Sequence, residues 1–428
     1  MEKKQIYHSV KLEKDRCVGC TTCLKRCPME CIRVRNGKAS ILYELCIDCG
    51  VCVRICPHNA KVAQTDPINA IFRYKHRIAL PAPTLYGQFR NIASVDHVLN
   101  ALLALGFSDV FEVARAADIV SATMREMLKT TDARPLISSA CPAVVALIQA
   151  RFPELLPNVA NVLSPKEVAG KMAKEEYSKT HGVPMDEIGA FFITPCPAKM
   201  ASIHSGQSSY VDGAIAIQDI YGLLSSQLRQ PVPETLKKKR HASWQGVNWA
   251  TYGGECAALH KSNTLSVDGI HNVIYVLEEI ENGKLDDLEF FEGSACEGGC
   301  VGGPLVFENA FVAQNTMRKL VERMQEEDGE IQTALPEPRD DIFTAKPRVP
   351  RDTLKLSDNI AEAISMMERI DELTKTFKGL DCGSCGSPTC RTLAEDIVLG
   401  YAKEVDCVFK LKEKVEQLAR QMADLTNL

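Results

Sequence analysis

Arg16-Cys17-x2-Cys20-x2-Cys23-x3-Cys27-Pro28 returns 29 residues later as Leu45-Cys46-x2-Cys49-x2-Cys52-x3-Cys56-Pro57. Eight thiols at this spacing, each run closed by a proline, leave the start of the chain little choice but to wrap around soft-metal centres, because thiolate selects iron-sulfur clusters or zinc. Between the runs, Ile32 to Ile41 alternates around Asn36-Gly37 and predicts a small hairpin. Cys31 reads as a buried structural thiol. In all there are eighteen cysteines in 428 residues. Such a count would mean disulfides in a short secreted chain; in a long one without export signals it means metal. Met1-Glu-Lys-Lys lacks the apolar region of a signal peptide, and no apolar stretch approaches the ~20 residues of a membrane span. A soluble, cytoplasmic protein with no membrane partner is therefore expected. The net charge of -5 gives no reason to expect nucleic acid, and Lys237 to Arg240 reads as a solvated loop.

The repeated run is the one described for two-cluster ferredoxins, in which the fourth cysteine of each copy crosses to the other cluster. Cys17, Cys20, Cys23 and Cys56 then hold one [4Fe-4S] cubane, and Cys46, Cys49, Cys52 and Cys27 the other; zinc modules match this spacing poorly. From about Tyr74 the pattern turns to alternating strands and helices, an α/β domain. Strands are predicted at Arg77–Leu80, Asp109–Val113, Leu136–Ile137, Ile188–Ile193, Val273–Leu277 and Leu288–Phe291. Helices are predicted over Val98–Leu105, closed by Gly106, over Ala143–Phe152, and from a Ser164-Pro165-Lys166-Glu167 capping box towards Gly182.

Three of the predicted strands end at cysteine loops: Ser138-Ser-Ala140-Cys141-Pro142, Thr194-Pro-Cys196-Pro-Ala-Lys199 and Glu292-Gly-Ser-Ala-Cys296-Glu-Gly-Gly-Cys300-Val-Gly-Gly-Pro304. The spacing of Cys296 and Cys300 puts both sulfurs on one side of a single helical turn, and the glycines around them let the backbone approach a bulky group. Sites beyond strand ends are usual for open parallel sheets, so one shared pocket between two sheet lobes is expected. A Pro-rich stretch from Pro336 to Pro350 reads as an extended linker. After it, Ile360, Ile364, Met367, Ile370 and Phe377 recur at helical spacing and suggest a packed face. Cys382-x2-Cys385-x4-Cys390, with Cys407, suits a further cubane or zinc. Val408, Leu411, Val415, Leu418, Met422 and Leu425 form an a/d seam, for a twin, a partner protein or this chain's own surface.

The three loops resemble the signature loops of [FeFe]-hydrogenases. The resemblance implies an α/β fold: a two-lobed hydrogenase-like catalytic domain over 73–332, preceded by an α+β two-cluster ferredoxin domain over 1–72. A linker over 333–355 then leads to a small helical iron-sulfur module over 356–407, similar to one found in corrinoid and electron-transfer proteins, and to a coiled-coil-like helix over 408–428. It further implies that Cys141, Cys196 and Cys296 bind a cubane, and that Cys300 binds it while bridging to a two-iron unit with CO, cyanide and a dithiolate amine. That group is the H-cluster; without maturation only its cubane is present. Lys199 matches the lysine that hydrogen-bonds a cyanide, and Pro83 and Thr84 resemble the loop lying against the cyanides. A plain cubane at the same four thiols, as in cluster-assembly proteins, remains the alternative.

Two departures matter. The family's proton-relay cysteine is Ala140 here, and its two flanking methionines are Thr194 and Ser294. Losing a positioned acid or base typically lowers a rate by ~10²–10⁴. Together with the C-terminal module and seam, this resembles the sensory [FeFe]-hydrogenases. The implied function is slow, reversible hydrogen oxidation, with H2 and protons as substrates and a ferredoxin-like electron carrier. A homodimer or a signalling partner would use the last helix. Glu255 and Cys256, near a glycine turn, are candidates for a substitute proton relay, or else an ordinary acid and a buried thiol.

Overall fold

The computed structural model describes residues 7–90, 92, 94–207, 210–230, 237–328, 336–344, 347–351 and 356–426. The chain divides into two units, one of residues 10–46, 51–62 and 352–428, the other of residues 1–9, 47–50 and 63–351. The N-terminal cysteine runs and the C-terminal module, expected as separate domains, thus fall largely in one unit.

In the smaller unit, β1 (Val10–Leu12), β2 (Ile32–Arg35), β3 (Lys38–Ile41) and β4 (Lys61–Ala63) form two small sheets, β1 with β4 and β2 with β3. The β2–β3 hairpin is antiparallel and places Val34 opposite Ala39. Asn36 and Gly37 turn it with φ of 52° and 71°, the pair of left-handed residues a two-residue turn requires. The helices Ile360–Thr376 and Cys390–Val398 pack around Ile370, Phe377, Leu393, Ala394 and Cys407. The first helix does not bury its whole apolar stripe as expected: Ile360, Ile364 and Met367 are 78%, 53% and 49% exposed. Its neighbour is only nine residues long and reaches its C-terminal half alone. The last helix, Val408–Thr426, carries its seam at 47% to 71% exposure, so it is not folded back on its own unit.

The larger unit contains β5 (His76–Pro81), β6 (Asp109–Val110), β7 (Leu136–Ile137), β8 (Ile188–Thr194), β9 (Gly213–Ala216), β10 (Thr264–Asp268) and β11 (Phe290–Ser294). They make two parallel sheets, ordered β6-β5-β8-β9 and β10-β11-β7. The four-stranded sheet is apolar on both faces. Ile78, Leu80, Ala190, Phe192 and Ala214 enter one core, and Ala79, Phe191, Ile193 and Ile215 the other. This continuous burial, with helices on each side, is why these strands read as unbroken apolar runs.

Several elements differ from expectation. The predicted strand Asp109–Val113 stops at Val110, and the helix Val113–Thr130 starts instead. Its alanines pack in both cores. Val273–Leu277 is not a strand but part of the helix Ile270–Glu281, where Ile270, Val273, Ile274, Leu277 and Ile280 are buried on one side; short apolar runs do not distinguish the two. The helix Pro165–His181 ends at Gly182 as predicted, but Ser164 makes no side-chain cap, and Glu167 pairs with Lys166 instead.

The Pro-rich linker is not free either. Ile342 is fully buried in the core, Leu163 N–H donates to its carbonyl at 2.8 Å, and Asp341 pairs with Lys171 and Arg339. A single apolar anchor of this kind stabilises by about 1.5–3 kcal/mol, enough to strap down a segment whose composition reads as extended. Residues 333–335, 345–346 and 352–355 of the expected linker lie outside the described residues. No helix among the described residues is long and apolar enough to cross a membrane.

Candidate functional site

The loops after β7, β8 and β11 meet in one cavity of the larger unit, about 970 Å³ including its open mouth, and Cys141, Cys196, Cys296 and Cys300 all line it. Cys141 and Cys196 each precede a proline that opens a helix, Pro142–Arg151 and Pro197–Ser202. Proline pre-sets the first helical turn, so each sulfur is presented at a defined strand-to-helix junction. Cys296 and Cys300 do not share a helical turn as expected. Gly298 and Gly299 both take left-handed φ, 84° and 79°, and a short turn over Gly299–Gly302 follows. A side chain at Gly299 would lie 2.7 Å from the Tyr252 nitrogen, so the close approach of a neighbouring loop requires glycine there. Pro304 also has a role. With Pro197 it packs on Gly50, where φ is +75° and a Cβ would come within 2.4 Å of the Pro304 ring. This seats Cys49 in the cavity wall.

The electrostatics suit an anionic, thiolate-bound group. Lys199 Nζ lies 3.2 Å from Cys300 Sγ. Burial works against its charge, but Cys300, Cys196 and Cys141 together outweigh burial and raise its pKa above that of an ordinary lysine. Burial pushes the Cys196 thiol up to about 11, against the pull of Lys199, and raises Cys141 as well. Buried thiols of this kind keep their protons unless a metal displaces them. A second cation, Lys166, lines the same cavity and is paired with the buried Glu167.

Ala140 lines the cavity, and its N–H donates to Ser138 Oγ at 3.2 Å. Ser138 Oγ in turn donates to Glu255 Oε2 at 2.6 Å. Glu255 also lines the cavity, and its Oε1 has no hydrogen-bond partner among the described residues. Burial first, and then the neighbouring Glu292, push its pKa up to about 8, so it holds a proton at neutral pH. Glu292, likewise in the wall, accepts from the Gly253 and Cys256 amides at 3.1 and 2.9 Å. Cys256 is not in the wall; it packs in the core, where burial and Glu292 raise its thiol.

Pro83, Thr84 and Ser294 line the cavity, and Thr84 Oγ1 is buried without a partner. Thr194, expected with them, turns away: its hydroxyl accepts from Cys196 N and donates to Cys196 O, both at 3.1 Å, closing a turn in which Pro195 offers no N–H. Ser138, Lys166 and Glu292 were missed as site residues. All three stood in quoted motifs, but nothing in local spacing marked them as facing the cavity.

In the smaller unit, Cys17, Cys20, Cys23 and Cys56 line a second cavity of about 340 Å³. Its wall includes Lys61, whose buried Nζ has no hydrogen-bond partner among the described residues. An orphaned ammonium among four thiols fits an anionic cluster. Cys382, Cys385, Cys390 and Cys407 line a third cavity of about 360 Å³. Cys27, Cys46 and Cys52 also belong to this unit. Cys31 is buried, as expected of a structural thiol, but its sulfur lies 3.3 Å from Cys27 Sγ, and hydrogen bonding to Cys27 and Cys46 raises it.

A family model described as "Iron only hydrogenase large subunit, C-terminal domain" matches residues 75–264 and 255–304, over half of the chain. The chain belongs to the iron-only hydrogenase large-subunit family. Beside that domain, a family model described as "4Fe-4S dicluster domain" matches residues 9–57 and one described as "Putative Fe-S cluster" matches residues 379–409. Iron hydrogenase 1 of Clostridium pasteurianum is 22% identical over 287 residues, 54% of this chain and 50% of that protein. Cytosolic Fe-S cluster assembly factor nar1 of Aspergillus terreus is 37% identical over 82 residues, 19% of this chain and 14% of that protein. The chain thus spans half or less of the length of these curated relatives. A solved [FeFe]-hydrogenase structure, described as revealing stepwise H-cluster assembly, matches with a TM-score of 0.50 and 16% identity over 67% of this chain and 97% of that one. This likeness is one of fold.

Proposed function

We propose that this iron-only hydrogenase family member is a slow, reversible hydrogenase with a hydrogen-sensing role, holding the H-cluster in its central cavity and cubanes at its outer cysteine sites. The observation that carries the reading is the combination in one cavity of four cysteines, the Lys199 ammonium beside Cys300, and a methyl group at Ala140. When bound, the H-cluster supplies the metal chemistry that splits hydrogen and the one-electron steps that follow. Cys141, Cys196 and Cys296 would hold its cubane and Cys300 would bridge to the two-iron unit. Lys199 offers donors to an anionic ligand, and the Thr84 hydroxyl is free to do the same.

Proton handling sets the rate. Ala140 cannot carry a proton, whereas Ser138 and Glu255, which line the same cavity, can hold one at Glu255 and pass it through the Ser138 hydroxyl. Glu255 is therefore the first residue of the substitute route, with Glu292 beyond it. The missing relay corresponds to ~10²–10⁴ in rate, about 3–5 kcal/mol of barrier.

A second reading, an iron-sulfur assembly or electron-transfer protein with cubanes only, is favoured by the similarity to nar1. Infrared spectroscopy after competent maturation separates the two: CO and cyanide bands are expected, and their absence would favour the second reading. The signalling surface is the last helix, with valines at two of its three a positions and leucine at each d, a pattern suited to a parallel two-stranded coil with a second copy.

A further inference from the structure

The β2–β3 hairpin stands between two cysteine sites of the smaller unit. On one side, Val34 and Ala39 line the Cys17, Cys20, Cys23 and Cys56 cavity, and Ala39 N–H donates to Cys17 Sγ at 3.4 Å. On the other, Val34 N–H donates to the carbonyl of Gly386 at 2.9 Å, one residue after Cys385. Arg35 reaches the same loop: Nη1 donates to the Cys385 carbonyl at 2.5 Å and Nη2 to Ser387 Oγ at 2.8 Å. Covalent bonds and hydrogen bonds therefore run without a gap from Cys385, through Gly386 and the hairpin, to the Cys17 sulfur.

This junction is built rather than incidental. Gly386 has φ of +79°, and a Cβ there would lie 1.7 Å from the Val34 carbonyl oxygen, so only glycine permits the approach. Arg33 Nε donates to both oxygens of Asp396, at 2.9 and 2.7 Å, and Arg35 Nη2 and Ser387 Oγ reach the same carboxylate at 3.1 and 2.7 Å. Asp396 and Arg33 are buried. A buried, fully hydrogen-bonded pair of this kind fixes geometry, because removing either partner strands the other's charge. Glu30 holds the start of the Cys390–Val398 helix through Thr389 and Thr392.

We propose that the Cys382, Cys385, Cys390 and Cys407 site is the direct one-electron partner of the Cys17, Cys20, Cys23 and Cys56 site, and that β2, positioned by Arg35, is the contact through which the electron passes. The proposal rests on the reading that both sites hold cubanes. One electron leaves a reduced cubane at one site and reduces an oxidised cubane at the other; no atom moves and no further reactant is needed. The Arg35 guanidinium, a positive charge beside the Cys385 loop, favours the more negative reduced state there, since charge and hydrogen bonding around the sulfurs set cluster potential. Cys407 directly precedes the exposed final helix, so the module reports the redox state of the hairpin's cluster at the base of that helix.

The test is paramagnetic resonance on the full-length protein, chemically reduced. The C-terminal cubane signal should be broadened by spin coupling to its partner, sharpened by Cys20→Ala and unchanged by Cys49→Ala. Gly386→Ala, which keeps every cysteine, should also sharpen it. Arg35→Ala should lower the midpoint potential of the C-terminal cubane with iron content unchanged, and Arg35→Lys should recover part of the shift. A signal that ignores both Cys20→Ala and Gly386→Ala, or that sharpens with Cys49→Ala instead, overturns the proposal. Should Cys390→Ala remove neither iron nor signal, the cubane reading itself fails and the proposal with it, an outcome that iron analysis tells apart from the first.

Discussion

Ala140 and Glu255 together describe how a single side chain changes the character of the central site. Ala140 lines the cavity with a methyl group, while the nearest proton store is Glu255, in the same wall and hydrogen-bonded to the Ser138 hydroxyl. Ala140→Cys should therefore raise hydrogen oxidation by up to ~10²–10⁴, read as turnover with an artificial electron acceptor. Glu255 titrates near 8 when folded against an ordinary 4.5. The folded protein then binds this proton more tightly than the unfolded chain across that window, so stability falls as pH rises from about 4.5 through 8. Proton reduction by the wild type should fall as pH passes 8 and Glu255 loses the proton it would deliver, whereas hydrogen oxidation, which needs Glu255 to accept one, should not fall. Glu255→Gln should be slow throughout and flatten both profiles, which denaturation and rate measurements across pH 5 to 9 will check. Cys31 offers a third case. As a donor beside Cys27 Sγ it favours a reduced cluster, so Cys31→Ala should lower one N-terminal cluster potential in a redox titration.

Among the elements, the strap around Ile342 and the last helix make opposite predictions about burial. Ile342→Ala removes a fully buried side chain and should destabilise the larger unit by about 2–5 kcal/mol in denaturant. Leu418→Asp touches a half-exposed position; it should leave thermal unfolding of both units in place but convert a dimer to a monomer in light scattering. The elements that local sequence misjudged each have a cause. Val113–Thr130 packs in both cores, Ile270–Glu281 contains a short apolar run that fits strand and helix alike, and Asp341–Ile342 is held by residues of a distant helix. In contrast, Asn36-Gly37, Pro165 and Gly182 act through their own backbone preferences, and there sequence and structure agree.

At the scale of the molecule, four cysteine sets should bind four cubanes, ~16 irons before maturation; iron analysis should show a loss of ~4 for Cys390→Ala. Much of this was legible in the chain itself, because a thiol is a chemically distinctive residue and its spacing along a loop or helix survives without knowledge of the fold. The identity of the cysteine loops, the parallel α/β character and the methyl at Ala140 are of this kind. What faces the cavity beside the sulfurs was not legible. Ser138, Lys166 and Glu292 are there, and Thr194 and Cys256 are not, because that depends on how three strand ends from two sheets turn towards each other. Nor could any local pattern join Arg35 to Cys385, which are 350 residues apart: sequence spacing specifies which atoms are able to bind metal, while the neighbours that hold protons and carry electrons to them are set only when distant segments pack.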